Sequence, residues 1–159
     1  MSASRFALDT NILVYAIDGR QAAKRGAALA VIDASRRLDA WLSTQALGEF
    51  YVAATRKLRM PAAAAAVQVR QWMALFSIAE PSAVAVRAAL AAAESGRFGY
   101  YDALMLATAA EAGCRVLLSE DMADGAILGD IVVRHPFGSG PDGLSVAARA
   151  VLGMAASSP

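Results

Sequence analysis

Apolar residues along the chain recur in two patterns that alternate over most of its length. Short apolar runs predict five β-strands, at Phe6–Leu8, Ala40–Ser43, Leu75–Ala79, Arg115–Leu118 and Ile131–Arg134. Longer stretches with apolar residues three and four positions apart predict helices, at Asn11–Ile17, Gln21–Arg36, Thr44–Leu58, Pro61–Ala74, Ser82–Ser95 and Tyr101–Ala112. This alternation predicts an α/β fold, a three-layer α/β/α sandwich around a central, mostly parallel sheet of about five strands.

The pattern changes at the breaker cluster Gly138–Pro141. We therefore predict a single domain over residues 1–137 and a C-terminal tail over residues 138–159. The tail contains one predicted helix, at Leu144–Met154, and Ala155–Pro159 is expected to fray. We expect the tail to be a partly flexible appendage that docks on a partner and has no catalytic role.

Composition indicates one folded domain and excludes two classes of protein. The chain has 159 residues, of which 57% are hydrophobic and 18% charged, and its formal net charge is +1. This high apolar content with little net charge excludes intrinsic disorder. The near-zero charge also excludes a protein that binds nucleic acid through an overall positive field.

The mean hydropathy of +0.43 requires a test for membrane insertion. The longest uncharged windows, Met60–Val69 and Ala150–Pro159, have ten residues each, whereas a spanning helix needs about 20. Arg5 and Asp9 interrupt the N-terminal stretch, so no secretory signal is predicted. Cys114 is the only cysteine and is interpreted as a small buried hydrophobe. We therefore expect a cytoplasmic protein without membrane contact.

Four acidic residues occupy positions where chemistry is expected. Asp9 follows the first predicted strand and Asp121 follows the fourth, so both lie at the carboxyl edge of the sheet, where open α/β sheets bind ligands. Asp102 begins a helix on the same face as Met105, and Glu49 flanks the apolar stripe of its own helix. Taken singly, the two strand-end acids are explained as caps or turns. Asp102, in the first turn of its helix, is explained as complementing the helix dipole, and Glu49 as a solvated side chain.

Together the four acids indicate a cation. Carboxylates gathered in one pocket repel one another unless a positive charge neutralises them. A set of oxygen ligands suits a hard divalent ion, Mg²⁺ or Mn²⁺. Such an ion activates water and neutralises a phosphoryl oxygen in phosphodiester cleavage. The four acids therefore predict a metal site for phosphodiester hydrolysis, if they converge at one end of the sheet.

The segments that carry the acids follow one another in a familiar order. They are Asp-Thr-Asn-Ile-Leu-Val-Tyr-Ala at Asp9–Ala16, Glu-Phe at Glu49–Phe50, Asp-Ala-Leu-Met-Leu-Ala at Asp102–Ala107, and Leu-Leu-Ser-Glu-Asp-Met at Leu117–Met122. In their order and spacing, the chain from Phe6 to Phe137 resembles the PIN-domain ribonucleases. The resemblance is to the VapC-type toxins of type II toxin–antitoxin modules.

This resemblance implies a function and a set of site residues. It matches the catalytic, metal-binding quartet to Asp9, Glu49, Asp102 and Asp121. Asn11 and Ser119 match small polar positions that support the site. Asp124 matches an extra acid of some members, although its spacing also suits a turn, and His135 is interpreted as structural. The implied activity is cleavage of RNA with Mg²⁺ or Mn²⁺, and the implied partners are a VapB-type antitoxin and a second copy in a homodimer.

Two stretches are candidates for contact with RNA. Arg56 belongs to the basic stretch Arg56–Arg59, for which the favoured explanation is that it complements the dipole of its own helix at the C-terminal end. Arg97 and Tyr100 stand just before Asp102, where a cation and an aromatic ring suit a phosphate and a stacked base. An ordinary loop with amphipathic tyrosines is the alternative.

Other classes with a similar strand pattern lack their motifs here. A haloacid-dehalogenase-like phosphatase needs Asp two residues after Asp9, where the chain has Asn11, and neither a Gly-rich dinucleotide turn nor a P-loop is present. Two alternatives stay open. One is a PIN nuclease of RNA processing outside a toxin module, and the other is a catalytically silent PIN-like domain. We assign the apolar excess to a dimer face and a groove for an antitoxin segment.

Overall fold

The computed structural model describes residues 4–155. Its strands are β1 (Phe6–Leu8), β2 (Ala40–Ser43), β3 (Ser77–Ala79), β4 (Val116–Leu118), β5 (Ile127–Leu128) and β6 (Ile131–Arg134). Its helices are α1 (Thr10–Ile17), α2 (Ala22–Ser35), α3 (Thr44–Arg56), α4 (Ala62–Leu75), α5 (Ala83–Glu94), α6 (Tyr100–Glu111) and α7 (Val146–Val151). The predicted elements are all present, with ends displaced by at most a few residues.

The strands form one sheet in the order β3-β2-β1-β4-β6-β5. β1 pairs in parallel with β2 and with β4, and Phe6 lies opposite Ala40 on one side and Val116 on the other. Among the described strands only β5 is antiparallel, to β6. The predicted mostly parallel sheet is confirmed, but it has six strands instead of about five. β5 was missed because two residues are too few to form a recognisable strand pattern.

Helices cover both faces of this sheet, which confirms the predicted three layers. Phe6 and Leu8 of β1 pack on one side with residues of α1, α2, α3 and α4. Ala7, between them, points to the other side and packs with Met105 and Leu106 of α6. The carboxyl ends of β1, β2 and β4 therefore meet at one edge, next to the first turns of α1, α3 and α6.

Two expectations from composition concern burial. The Cys114 side chain is 1% exposed, and burial raises the pKa of its thiol to about 12. The cysteine is thus the buried hydrophobe that was predicted. As for the bilayer, none of the helices in the described part of the chain is both long enough and apolar enough to traverse one.

The segment after residue 137 is packed into the domain as far as residue 152. Leu144, Ala148 and Leu152 are buried in the same core cluster as Ala27 and Ala28 of α2. Because these side chains fill the core, residues 144–152 fold with the domain, which does not agree with the expected appendage. The reason is that Leu144, Ala148 and Leu152, which are four residues apart in α7 and its flanking turns, lie on one side and are buried in this cluster. The predicted fraying of Ala155–Pro159 lies almost wholly outside the described residues.

The packed segment makes a testable contribution to stability. We expect Leu144→Ala to lower the free energy of unfolding by about 2–5 kcal/mol, because it opens a cavity beside α2 at a position that is 2% exposed. Val146→Ala, two residues on, is the matched control, since Val146 is 86% exposed and surface changes usually stay within about 0.5 kcal/mol. Urea denaturation of both variants measures the difference. Equal stability of the two would contradict this packing.

Candidate active site

The fold brings the four predicted acids to the carboxyl edge of the sheet. Asp9 follows β1 directly and Asp121 lies three residues beyond β4. Glu49 lies in the second turn of α3, which starts immediately after β2, and Asp102 lies in the first turn of α6. Each acid is thus held by the start of a helix or by a short loop.

Asp9 is the most constrained of these acids. Its side chain is 4% exposed; Oδ1 accepts a hydrogen bond of 2.6 Å from the Thr10 backbone N–H, and Oδ2 accepts one of 2.6 Å from the Ser119 hydroxyl. Burial raises the pKa of Asp9 to about 6, and the negative charges of Asp121 and Glu49 contribute in the same direction. The two hydrogen bonds oppose this change without cancelling it. Asp9 is therefore the N-cap of α1, and its ionised form is destabilised by burial and by neighbouring negative charges.

Ser119 connects two of the acids. Its hydroxyl donates to Asp9, and the same oxygen accepts a hydrogen bond of 3.2 Å from the Asp121 backbone N–H. Ser119 is fully buried, so neither contact competes with bulk water. The Ser119 hydroxyl thus bridges, by hydrogen bonds, the Asp9 carboxylate after β1 and the backbone of the loop after β4.

Two residues that the sequence analysis missed hold Glu49. The Thr10 hydroxyl donates to Oε2 over 2.8 Å, and the Gln45 amide donates to Oε1 over 2.8 Å. The Gln45 amide also donates to the Tyr101 carbonyl over 3.1 Å, which links α3 to the start of α6. Gln45 could have been found from its spacing, since residues four apart on a helix are neighbours. The contact from Thr10 depends on how α1 lies against α3.

Asp102 and Asp121 complete the acidic group. Partial burial raises the pKa of Asp102 above its usual value, and repulsion from Asp121 and Glu49 adds to the effect. Within the described chain, none of the quartet makes an ion pair with Lys, Arg or His; the ion pairs found there involve other acids. The edge of the sheet thus carries an uncompensated negative charge.

The residues present fit a divalent ion in their chemistry. All donors are carboxylate oxygens, the ligands that Mg²⁺ and Mn²⁺ prefer. Burial is the main cause of the raised pKa of Asp9 and Asp102, and a cation would relieve the repulsion between carboxylates that adds to it. Over residues 4–155, no three His, Cys, Asp or Glu side chains are close enough to ligate one ion directly. Mg²⁺ usually keeps several waters and uses one or two carboxylates, so ligation through water fits this spacing.

A cavity of about 330 Å³ opens beside the acids, between α1 and α3. Glu49 and Asp121 line it, together with Asn11. The side-chain amide of Asn11 is buried and has no hydrogen-bond partner among the described residues. A buried amide without a partner is costly, so Asn11 is suited to bind a ligand that enters this cavity.

A polar cluster fixes the loop that carries Asp121. Lys24 of α2 donates to Glu120 Oε1 over 2.5 Å and to the Tyr15 hydroxyl over 3.1 Å. Its ammonium also lies 4.7 Å from the Tyr15 ring centroid and 5.8 Å from that of Phe137. The cluster therefore ties α1, α2 and the chain after β6 to the residue next to Asp121. No sequence signal marked it, because its members are far apart along the chain.

Asp124 and His135 contact each other and neighbouring residues, and neither makes a hydrogen bond or ion pair with the quartet among the described residues. Asp124 Oδ1 accepts a hydrogen bond of 2.9 Å from the His135 backbone N–H and lies 3.5 Å from Arg134 Nε. A ring nitrogen of His135, Nε2, is 2.7 Å from the Met122 carbonyl oxygen. These contacts hold the loop before β5 against β6, which agrees with the structural interpretation of His135. The supporting role of Asp124 at the metal site stays a prediction.

The three candidate RNA contacts differ in their surroundings. Arg97 donates to the Ile127 carbonyl of β5 over 2.7 Å. Tyr100 is half-buried and packs on the cluster between α5 and α6, and its ring lies 5.1 Å from that of Tyr101. Arg56 is exposed beside a second cavity along α3, which shares Glu49, Ala53 and Lys57 with the first. Of the two arginines, only Arg97 makes a side-chain hydrogen bond within the described residues, so the guanidinium of Arg56 is the freer one.

Comparison with known proteins identifies the family. The sequence model of the PIN domain matches residues 6–123, well over half of the chain. The chain therefore belongs to the PIN domain family. No curated protein sequence matches it.

Solved structures share the fold. A chain of VapBC2 from Rickettsia felis, bound to a DNA fragment from its promoter, has a TM-score of 0.60 at 14% identity, over 82% of this chain and 98% of the other. A chain of DNA-bound VapBC from Salmonella typhimurium gives 0.60 at 17% identity, over 83% and 98%. VapC20 from Mycobacterium tuberculosis, a toxin that cleaves the sarcin–ricin loop, gives 0.54 at 19% identity, over 73% and 91%. At these identities the likeness establishes the fold.

Proposed function

We propose that this PIN-domain protein is a divalent-metal-dependent ribonuclease and the toxin of a VapBC-type pair. Its partners would be an RNA substrate, a VapB-type antitoxin and a second copy in a homodimer, in the cytoplasm. The observation that carries the proposal is the group of four carboxylates at one sheet edge, without a compensating ion pair in residues 4–155. Membership of the PIN domain family supports the nuclease activity, and the fold shared with VapBC structures supports the toxin assignment.

The quartet residues would hold the ion in unequal ways. Asp9, Asp102 and Asp121 would be the main ligands and Glu49 a further one, and at least part of this ligation would run through water, because within residues 4–155 no three of these side chains are close enough to bind one ion directly. When bound, the ion lowers the pKa of a water molecule and neutralises charge on the phosphoryl group.

The protein's own side chains prepare this site. Ser119 and the first turn of α1 fix the Asp9 carboxylate in one orientation. Thr10 and Gln45 each donate to one oxygen of the exposed Glu49 side chain, which favours an orientation of its carboxylate beside the cavity. Ser119, Thr10 and Gln45 thus preorganise the carboxylates that a hard cation would bind.

Cleavage assays with and without metal test the enzymatic part of the proposal. We expect a labelled RNA to be cut in Mg²⁺ or Mn²⁺ and to remain intact in EDTA, with activity restored when excess metal is added back. The reason is that the carboxylates by themselves offer neither a strong nucleophile nor charge neutralisation at phosphorus. Cleavage that persists in EDTA would contradict metal dependence. Absence of cleavage of total cellular RNA in either metal would favour the catalytically silent alternative.

Growth assays test the toxin part separately. Expression of the chain alone should arrest growth, and co-expression of a small reading frame immediately upstream should relieve the arrest. A chain that cleaves RNA in the test tube but is harmless when expressed would favour a nuclease of RNA processing.

A further inference from the structure

Helix α3 presents an acid and a base along one face of the cavity beside the quartet. Glu49, Ala53 and Lys57 are spaced four residues apart, and all three line this cavity of about 330 Å³. Lys57 caps the C-terminal end of α3, so one wall of the cavity runs from a metal-site acid to a lysine.

Lys57 is a cation that forms no ion pair in the described part of the chain. It is exposed and makes no side-chain hydrogen bond among residues 4–155 either. Three acids of the described chain also line the cavity: Asp18, Glu49 and Asp121. Both oxygens of Asp18 are bound by Arg20 at 2.9 Å, and those of Glu49 accept from Thr10 and Gln45. The pairing with Arg20 lowers the pKa of Asp18 and satisfies its charge. The ammonium of Lys57 is therefore available to an anion that enters the cavity.

The spacing along α3 separates this anion from the metal site. Eight residues of helix rise by about 12 Å, so the backbone of Lys57 lies well beyond that of Glu49. A group bound to Lys57 is therefore distinct from the phosphoryl group at the carboxylates. A chain with regularly spaced phosphates can engage both positions at once, and a cavity bounded by α1 and α3 admits one strand more easily than a duplex.

We propose that Lys57 binds a backbone phosphate of single-stranded RNA, next to the phosphate at the acidic quartet. The inference rests on the proposed ribonuclease function and assigns part of the substrate path to the cavity between α1 and α3. It differs from the sequence-based choice of Arg56, because Lys57 lines both this cavity and the second one beside α3, whereas Arg56 lines only the second.

Salt-dependent RNA binding tests the proposal, with Arg56→Gln as the matched control. The full-length Asp102→Asn protein, used in Mg²⁺ to prevent cleavage, is titrated with a labelled single-stranded RNA. We expect Lys57→Gln to weaken binding roughly tenfold and to reduce the slope of log K against log salt by about 0.7, the loss of one phosphate contact. Lys57→Arg should restore most of the affinity. Arg56→Gln removes the same charge from the same helix end, yet should have a smaller effect.

The outcomes separate this proposal from the function on which it rests. If the wild-type protein neither binds nor cleaves RNA, the ribonuclease function fails. If it does both and Lys57→Gln binds as tightly as its parent, only the role of Lys57 is overturned. Equal weakening by Lys57→Gln and Arg56→Gln would replace the specific contact with general attraction. Unchanged RNA binding together with weaker binding of the upstream-encoded protein would assign the lysine to a protein partner.

Discussion

Asp102→Asn is expected to reduce RNA cleavage by at least about 100-fold, because loss of even the outer partners of a metal site commonly costs 10–100-fold. The exchange keeps the size of the side chain and removes the charge that a cation needs. Asp102 makes no hydrogen bond through its carboxylate among the described residues, so the fold loses no direct contact. The variant gives up an acid in the first turn of α6, which is worth about 0.3–1 kcal/mol. It also relieves repulsion from Asp121 and Glu49. We therefore expect the free energy of unfolding to change by less than about 1 kcal/mol.

Initial cleavage rates and urea denaturation of the same preparation measure both halves of this result. Asp33→Asn is the matched control, since it is the same chemical change on an exposed acid at the end of α2 that leads into β2, at the opposite edge of the sheet. It should cleave RNA at the wild-type rate. Near-normal cleavage by Asp102→Asn would remove Asp102 from the metal site. If Asp102→Asn is inactive and has also lost several kcal/mol of stability, misfolding would explain the loss of activity. Activity of the Asp33→Asn protein shows that the assay detects cleavage by a variant prepared in the same way.

The position of the acids could be predicted because it depends on local features of the chain. Asp9 and Asp121 follow apolar strands directly, and parallel strands deliver their carboxyl ends to the same edge. Asp102 and Glu49 were singled out as candidates because each breaks or flanks the apolar stripe of a helix. For all four acids, the sequence pattern of one helix or strand and its adjacent residues was enough to predict the position.

The partners of these acids could not be predicted in the same way. The Thr10 hydroxyl meets Glu49 across 39 positions, and Lys24 meets Glu120 across 96. Such contacts depend on how two helices or a helix and a loop pack, which a hydrophobic pattern does not specify. The strand β5 is a further example. Arg97 binds a β5 carbonyl, so its surroundings could not be inferred while that strand was missing from the predicted sheet.

Asp9→Asn is expected to stabilise the protein in EDTA at pH 8 by about 2 kcal/mol. Burial and neighbouring charges raise the pKa of Asp9 from 3.8 to about 6, and each pKa unit corresponds to about 1.4 kcal/mol. The ionised carboxylate therefore costs the native state about 3 kcal/mol. Asparagine keeps the acceptor for the Thr10 N–H, but its amide cannot accept the Ser119 proton, which returns about 1 kcal/mol of that gain.

The sign of this effect gives it a distinct pH profile. Between about pH 4 and pH 6 the native protein keeps a proton on Asp9 that the unfolded chain has already lost. Stability of the wild-type protein should therefore fall as pH rises through this window and stay low above it. Asp9→Asn lacks this decrease, so the stability advantage of the variant should shrink toward pH 4. Denaturation curves at several pH values in EDTA measure the difference.

Added Mg²⁺ should reverse which of the two proteins, wild type or Asp9→Asn, is the more stable at pH 8. A divalent ion that binds the native state stabilises it in proportion to the logarithm of its concentration above the dissociation constant. It does so only where Asp9 is present to ligate it. Added Mg²⁺ should therefore raise the stability of the wild-type protein at pH 8 and leave that of Asp9→Asn nearly unchanged. A variant less stable than the wild type in EDTA, or stabilised equally by Mg²⁺, would mean that the buried carboxylate is retained for structure and not for the ion.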